Sequence, residues 1–321
     1  MMIRFGRFFG SVVLASALVV QAMALAGDDL PDVEMQPIRV SEHVWYVSGT
    51  AGVATDNAGF VSNAAFVVTA DGVVVFDTLG TPALARMLVE RIRDVTGQPV
   101  RRVYISHYHA DHVYGAQIFE DLGASIVAPE GAIRYLEGRA AGERLAERRV
   151  SLAPWVDDET RIVEPHRLLS GEERFNLGGV AFRAVNLGSA HSEGDLVLFV
   201  ETDRVLVSGD IIFEGRIPFL GSANSGKWLE TLVELETLDV AAIVPGHGAA
   251  ASDPGKLVSL TRDYLAYVRE KMSTAVDDWV PFDEAYDGVD WSDFIEYPAF
   301  FEANRRNAYG VYLSLEREAL E

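Results

Sequence analysis

An α/β fold is predicted for this chain by three observations. Short runs of β-branched and aromatic residues alternate with stretches whose apolar residues recur at helical spacing. Several of those runs end in segments bearing Gly, Asp or His, the place where α/β sheets offer groups to a cleft. Of the 321 residues, 49% are hydrophobic, enough for a large core, and no linker marks a second globular unit.

The chain begins unlike the rest of itself. Arg4 and Arg7 precede an apolar run from Phe8 to Val20, and Ala24-Leu25-Ala26 supplies small residues two apart. This is the layout of a signal peptide over residues 1–26, cleaved before Gly27, with an uncleaved N-terminal anchor as the alternative. Removal of two Arg leaves 25 basic against 48 acidic residues, a net charge of −23. Such a surface repels phosphate backbones, so no nucleic-acid partner is expected. There is no Cys, hence no disulfide and no lipid-bearing Cys behind the leader. The expectation is a periplasmic or secreted protein with no stable membrane insertion, acting on a small molecule. Any metal in it is held by nitrogen and oxygen alone.

After an acidic, Pro-punctuated segment, His43 to Val47 reads as an early strand, with His43 a structural or edge residue. Gly52 to Asn63 is a loop placed where a flap could lie. Two strands, Ala64 to Thr69 and Val73 to Asp77, join at Asp71-Gly72, a strong hairpin signal. Thr81 and Pro82 open a helix carrying Leu84, Met87, Leu88, Ile92 and Val95 and stopped by Gly97. The strand Val103 to Ser106 follows. From Val113 a helix is expected, then a strand near Ala124 to Ala128, then an exposed helix pair over Glu130 to Arg149. His166 reads as a surface residue. In the second half, strands are expected around Val180 to Val185, Leu196 to Val200 and Val205 to Val207, the last ending in Ser208-Gly209-Asp210. A helix from Lys227 to Leu238 leads to the apolar run Val240 to Val244 and to Pro245-Gly246-His247-Gly248. Helices over Lys256 to Met272 and Tyr297 to Tyr312 complete the pattern. Residues 27–273 form the expected catalytic domain, and 274–321 a helical, aromatic extension packed on it.

The chemistry concentrates at His107-Tyr108-His109-Ala110-Asp111-His112. Of seven His in the chain, three fall within these six residues beside an Asp. On extended backbone alternate side chains share a face, so His107 and His109 can converge on one metal while Asp111 and His112, around the turn, reach a second. His191, Asp210 and His247 stand at later strand ends. Asp77, at another, either supports the site or caps a turn. Imidazole and carboxylate together suit Zn²⁺.

Taken in order, His107-x-His109-x-Asp111-His112, His191, Asp210 and His247 strongly resemble the metallo-β-lactamase superfamily of hydrolases, over roughly Val44 to Arg269. The resemblance implies an αββα sandwich of two mixed β-sheets flanked by helices, with metals at one edge. It implies a first Zn²⁺ on His107, His109 and His191, a second on Asp111, His112 and His247, and Asp210 bridging both. It further implies a hydroxide held between the ions that cleaves an ester, thioester, lactone or amide bond, β-lactams included, with Asp111 orienting it. The segments 190–196, 208–210 and 215–219 look most like secreted zinc metallohydrolases of the quinoprotein-relay and sulfur-oxidation type. Persulfide dioxygenases of the same fold, with one iron on three ligands, are the alternative. Two departures count against β-lactamase activity. Asp210 stands where many such enzymes have Cys, and Phe213 where they use Lys for the substrate carboxylate, leaving Arg216 or Lys227 as substitutes. Phe213 and Arg216 are the expected substrate contacts.

Overall fold

The computed structural model describes residues 30–221 and 223–320. The expected signal peptide therefore lies outside the described residues. Among the described residues no helix is long and apolar enough to cross a membrane.

The first half runs β1 (Ile38–Arg39), β2 (Val44–Val47), β3 (Ala64–Thr69), β4 (Gly72–Phe76), α1 (Pro82–Val95), β5 (Val100–Tyr104), α2 (Ala110–Val113), α3 (Ala116–Asp121), β6 (Ser125–Pro129), α4 (Ala132–Glu137), α5 (Arg139–Ser151) and β7 (Arg167–Leu169). The second half runs β8 (Glu172–Leu177), β9 (Val180–Gly188), β10 (Asp195–Val200), β11 (Val205–Phe213), α6 (Ser225–Glu236), β12 (Ala242–His247), α7 (Pro254–Asp277), α8 (Phe282–Asp287) and α9 (Phe300–Glu318). The strands of the first half form one seven-stranded sheet in chain order, antiparallel from β1 to β4 and parallel from β4 to β7. Those of the second half form a five-stranded sheet in the order β12-β11-β10-β9-β8, parallel only between β11 and β12. Both sheets are mixed, as expected.

Period-two alternation explains the layering. Val74 and Phe76 of β4 meet Leu196, Leu198 and Val200 of β10 in a core between the sheets. Val73 and Val75 turn the other way, onto Leu84, Leu88 and Ile92 of α1 and Phe119 of α3. Val197 and Phe199 likewise face Trp228 and Leu232 of α6 and Leu265 of α7. Strands apolar on both faces read as continuous hydrophobic runs because helices cover each sheet's outer side. The helices start where side chains cap them: Thr81 Oγ1 accepts from Leu84 N at 3.1 Å ahead of Pro82, and Asn224 and Asp253 do the same for α6 and α7.

Several boundaries differ from expectation. β11 does not end at Asp210 but runs on to Phe213, bent at Gly209, whose φ of 53° and two register shifts let the strand kink without breaking. The first helix stops at Val95, two residues before Gly97, with Thr96 as its cap. The helical turn after the His motif begins at Ala110, so Asp111 and His112 ride on its first turn. β7, β8 and α8 were invisible in the sequence. β8 is a charged edge strand, exposed at every other residue, and carries little apolar signal.

Candidate metal centre

The donors come from both sheets. Past β5 the chain crosses the edge with His107 and His109 on extended backbone, then coils into α2 with Asp111 and His112. From the other sheet come His191, in the loop between β9 and β10, Asp210 within β11, and His247 at the end of β12. All seven meet, in two groups able to hold a metal ion: His107, His109, His191 and Asp210; and Asp111, His112 and His247.

In the first group His107 Nε2 and His191 Nε2 lie 2.9 and 3.0 Å from His109 Nδ1. In the second, His247 Nε2 is 3.4 Å and His112 Nε2 3.6 Å from Asp111 Oδ2. Asp210 lies between the groups. Its Oδ2 is 3.4 Å from His191 and 3.3 Å from His247, and its Oδ1 is 3.2 Å from His112. His112 Nε2 and Asp210 Oδ1 are buried and have no hydrogen-bond partner among the described residues. Orphaned atoms of this kind, crowded together inside a His/carboxylate cluster, fit a bound divalent cation. Burial holds the His107 and His109 imidazoles below their ordinary range and His191 at about 3, so these rings present lone pairs rather than charge. Burial pushes the Asp210 carboxyl up, but His247 and His112 beside it hold it well below the usual carboxylate range.

A supporting shell fixes these rings. Asp77 is fully buried; its Oδ2 accepts from His112 Nδ1 at 2.8 Å and from Ser106 Oγ at 2.7 Å, and its Oδ1 from Ser106 N at 2.7 Å. Ser106 Oγ lies 2.9 Å from His107 Nδ1, so one carboxylate steadies a ring in each group. Its support of the site, one of two readings open in the sequence, is the one observed. His247 Nδ1 donates to Val61 O at 2.7 Å, and Ser62 Oγ to Asp111 O. Asp195 accepts from Ala190 N, Ser192 N and Ser192 Oγ and so ties off the loop that carries His191. Burial raises its pKa to about 6. The spacing His191-x-x-x-Asp195 is the sequence signal for this turn. Gly246 is required for close approach: a Cβ there would stand 2.0 Å from Asp210 Oδ1.

Phe213 is buried and lies flat against His247, with ring centroids 5.0 Å apart and planes 5° apart. It stands on the cleft's wall, behind a donor. Arg216 lines the same cleft, whereas Lys227 is exposed on α6 and paired with Glu230 at 3.2 Å. His43 and His166 stay away from the donors. His43 Nδ1 pairs with Asp203 Oδ1 at 2.7 Å, linking the two sheets, and His166 Nδ1 accepts from Ile126 N.

The cleft has two adjoining lobes. An inner one of about 320 Å³ reaches Asp111, Asp210 and His247; an outer one of about 720 Å³ runs along α4, α5 and α9. Both are walled in part by Arg144, Phe219 and Arg306.

Comparison with known proteins agrees with this geometry. The sequence profile of the Metallo-beta-lactamase superfamily matches residues 57–247. The metallo-beta-lactamase type 2 of Elizabethkingia meningoseptica is 23% identical over 239 residues, 73% of this chain and 86% of that protein. The linear primary-alkylsulfatase of Pseudomonas sp. (strain ATCC 19151) is 21% identical over 236 residues, 63% of this chain and 44% of that protein. Among solved structures, the stereoselective inverting sec-alkylsulfatase Pisa1 from Pseudomonas sp. superposes with a TM-score of 0.67 at 17% identity, over 87% of this chain and 50% of that one. The chain thus spans about half the length of these alkylsulfatases. With the profile covering more than half of the sequence, and the His/Asp cluster lying at the edge of two mixed sheets between helical layers, the chain belongs to the metallo-beta-lactamase superfamily and is a hydrolase of that fold.

Proposed function

We propose that this hydrolase is a di-zinc enzyme, exported by residues 1–26, that cleaves an ester, thioester, lactone or amide bond of a small molecule. One observation carries the reading: seven His and Asp side chains converge in two abutting groups that share Asp210. His107, His109 and His191 would hold one ion and Asp111, His112 and His247 the other, with Asp210 reaching both. The ions supply Lewis acidity and a water acidic enough to attack near neutral pH. A single iron, as in the persulfide dioxygenase alternative, would use one three-donor group and leave the second without purpose.

The chain's own residues do the rest. Asp111 is the most exposed carboxylate of the cluster, its side chain 27% accessible to the cleft, while Ser62 anchors its backbone. It is placed to take the proton of the attacking water and pass it to the leaving oxygen, sulfur or nitrogen as the hydroxyl joins the acyl carbon. Phe213 and Trp228 pack against His247 and His191 and keep bulk water from their outer faces. The segments resembling quinoprotein-relay and sulfur-oxidation hydrolases support an exported enzyme of that kind. Residues 27–273 would be the catalytic unit and 274–321 its extension.

Metal analysis of purified protein tests the reading: two zinc ions per chain are expected, and one iron with no zinc refutes it. Asp111→Asn, with folding intact, is expected to lower kcat on a cleaved ester or thioester by about 10²- to 10⁴-fold. Unchanged turnover refutes the proton-transfer role.

A further inference from the structure

Arginines gather at the cleft of a chain that is strongly acidic. With 48 Asp and Glu against 27 Lys and Arg, an arginine here is expected to find a carboxylate, and most do. Arg161 pairs with Glu120 and Asp121, Arg269 with Glu318, and Arg305 with Asp283. The inner lobe is different: Arg144, Arg148, Arg216 and Arg306 line it, and apart from the donors Asp111 and Asp210 the acid lining it is Glu302.

These four come from three parts of the chain. Arg144 and Arg148 stand one turn apart on α5 and share a single carboxylate, Glu147, at 3.2 and 3.6 Å, so the pair keeps a net positive charge. Arg216 follows β11, half-buried, with its Nε enclosed and lacking a hydrogen-bond partner. Arg306 lies on α9 with its guanidinium 6.0 Å from the Phe219 ring. Among the described residues neither Arg216 nor Arg306 has a carboxylate within ion-pair distance, although the neighbouring Arg305 does. Burial is costly for the Arg216 guanidinium, and Asp111, Asp210 and Glu302 offset that cost only from beyond ion-pair distance, so its enclosed Nε remains a donor that an incoming anion would satisfy; Arg306 is exposed. α9 lies beyond residues 57–247, the span matched by the superfamily profile.

We propose that Arg216 and Arg306, supported by Arg144 and Arg148, form an anion clamp for a carboxylate or sulfate group on the substrate, separate from the bond that is cut. The inference deepens the hydrolase reading and rests on it for the bond broken. Arg144 and Arg306 wall both lobes, which puts the anion at their junction. The outer lobe, lined by Tyr135, Phe219 and Tyr309, takes the apolar body of the same molecule. The substrate class is an amphiphilic organic anion. Sequence reasoning named Arg216 but missed Arg144, Arg148 and Arg306, because their convergence depends on how α5 and α9 pack.

Binding of three matched ligands to the full zinc-loaded chain tests this without turnover: 2-naphthoate, 2-naphthyl sulfate and uncharged 2-naphthamide, titrated calorimetrically. At least one anion is expected to bind about tenfold or more tightly than the amide, with the gap narrowing as salt rises. The tighter of the two identifies carboxylate or sulfate. Arg306→Gln and Arg216→Gln should each reduce the anion-to-amide affinity ratio by about threefold to tenfold. Equal binding of anions and amide overturns the clamp. So does an anion preference that survives both substitutions, since it places the anion on the ions instead. An Arg-dependent preference in a protein that cleaves no ester, thioester, lactone or amide upholds the clamp and removes the hydrolase reading.

Discussion

Replacing Asp77 by Asn tests whether one buried carboxylate steadies both halves of the centre. Asn suits the backbone, because φ at this position is +64° and Asn tolerates the left-handed region. Its side-chain oxygen can still accept from Ser106 N. Its amide nitrogen, however, would replace the oxygen that receives both Ser106 Oγ and His112 Nδ1. The hydroxyl can rotate to accept instead; the imidazole cannot remain an Nδ1 donor. His112 would relieve the clash by carrying its proton on Nε2, the atom facing Asp111 and Asp210. A ring protonated there is no ligand. The expected loss is about 10- to 100-fold in affinity for one ion, or roughly 1.4–2.7 kcal/mol. Zinc titration against a chromophoric chelator resolves this. One of two sites should weaken while the site of His107, His109 and His191 changes less, because Ser106 can still reach His107. Wild-type affinity at both sites, in a folded variant, would refute the argument.

Gly246→Ala would force a methyl to within 2.0 Å of Asp210 Oδ1 and 2.6 Å of Gly209 C; a cost of about 1–3 kcal/mol and a metal content below two per chain are expected, read by denaturant melts and metal analysis. Asp203 lies far from the site. Burial pushes its carboxyl up, but hydrogen bonds from Ser41 Oγ, His43 N and His43 Nδ1 leave it below the ordinary carboxylate value. Its contribution is therefore present above the unfolded pKa and lost as pH falls through the folded one. Asp203→Asn should cost about 1 kcal/mol at pH 7, a figure kept small because solvent screens the pair, and the gap to wild type should close below about pH 4 in parallel melts.

What could be read from the sequence was whatever is local. The Asp71-Gly72 hairpin, the Thr81-Pro82 helix start and the apolar runs of β3, β4, β10 and β12 follow from short-range patterns, and all appear. The seven donors were legible because His is scarce in this chain and clustered in it. What packing decides was not. That Ser106, at a strand end, and Asp195, four residues after His191, brace the donors shows only once their hydrogen bonds are seen. Phe213 lines the cleft, as a substrate contact requires, and its stacking on His247 is visible only in the fold. The arginines of α5 read as the solvated face of an exposed helix, and only tertiary structure turns that face toward the cleft.

Each donor group draws on both sheets: His107 and His109 with His191 and Asp210 in one, Asp111 and His112 with His247 in the other. Cations seated there would act as rivets across the seam between two halves that are contiguous in sequence, and neither half alone could retain them. Thermal midpoint should then climb with free zinc by the mass-action relation for a ligand that binds only the assembled state, about 2.7 kcal/mol at a hundredfold excess over Kd. Withdrawing the ions should let the halves part at a lower temperature than the core between them would suggest.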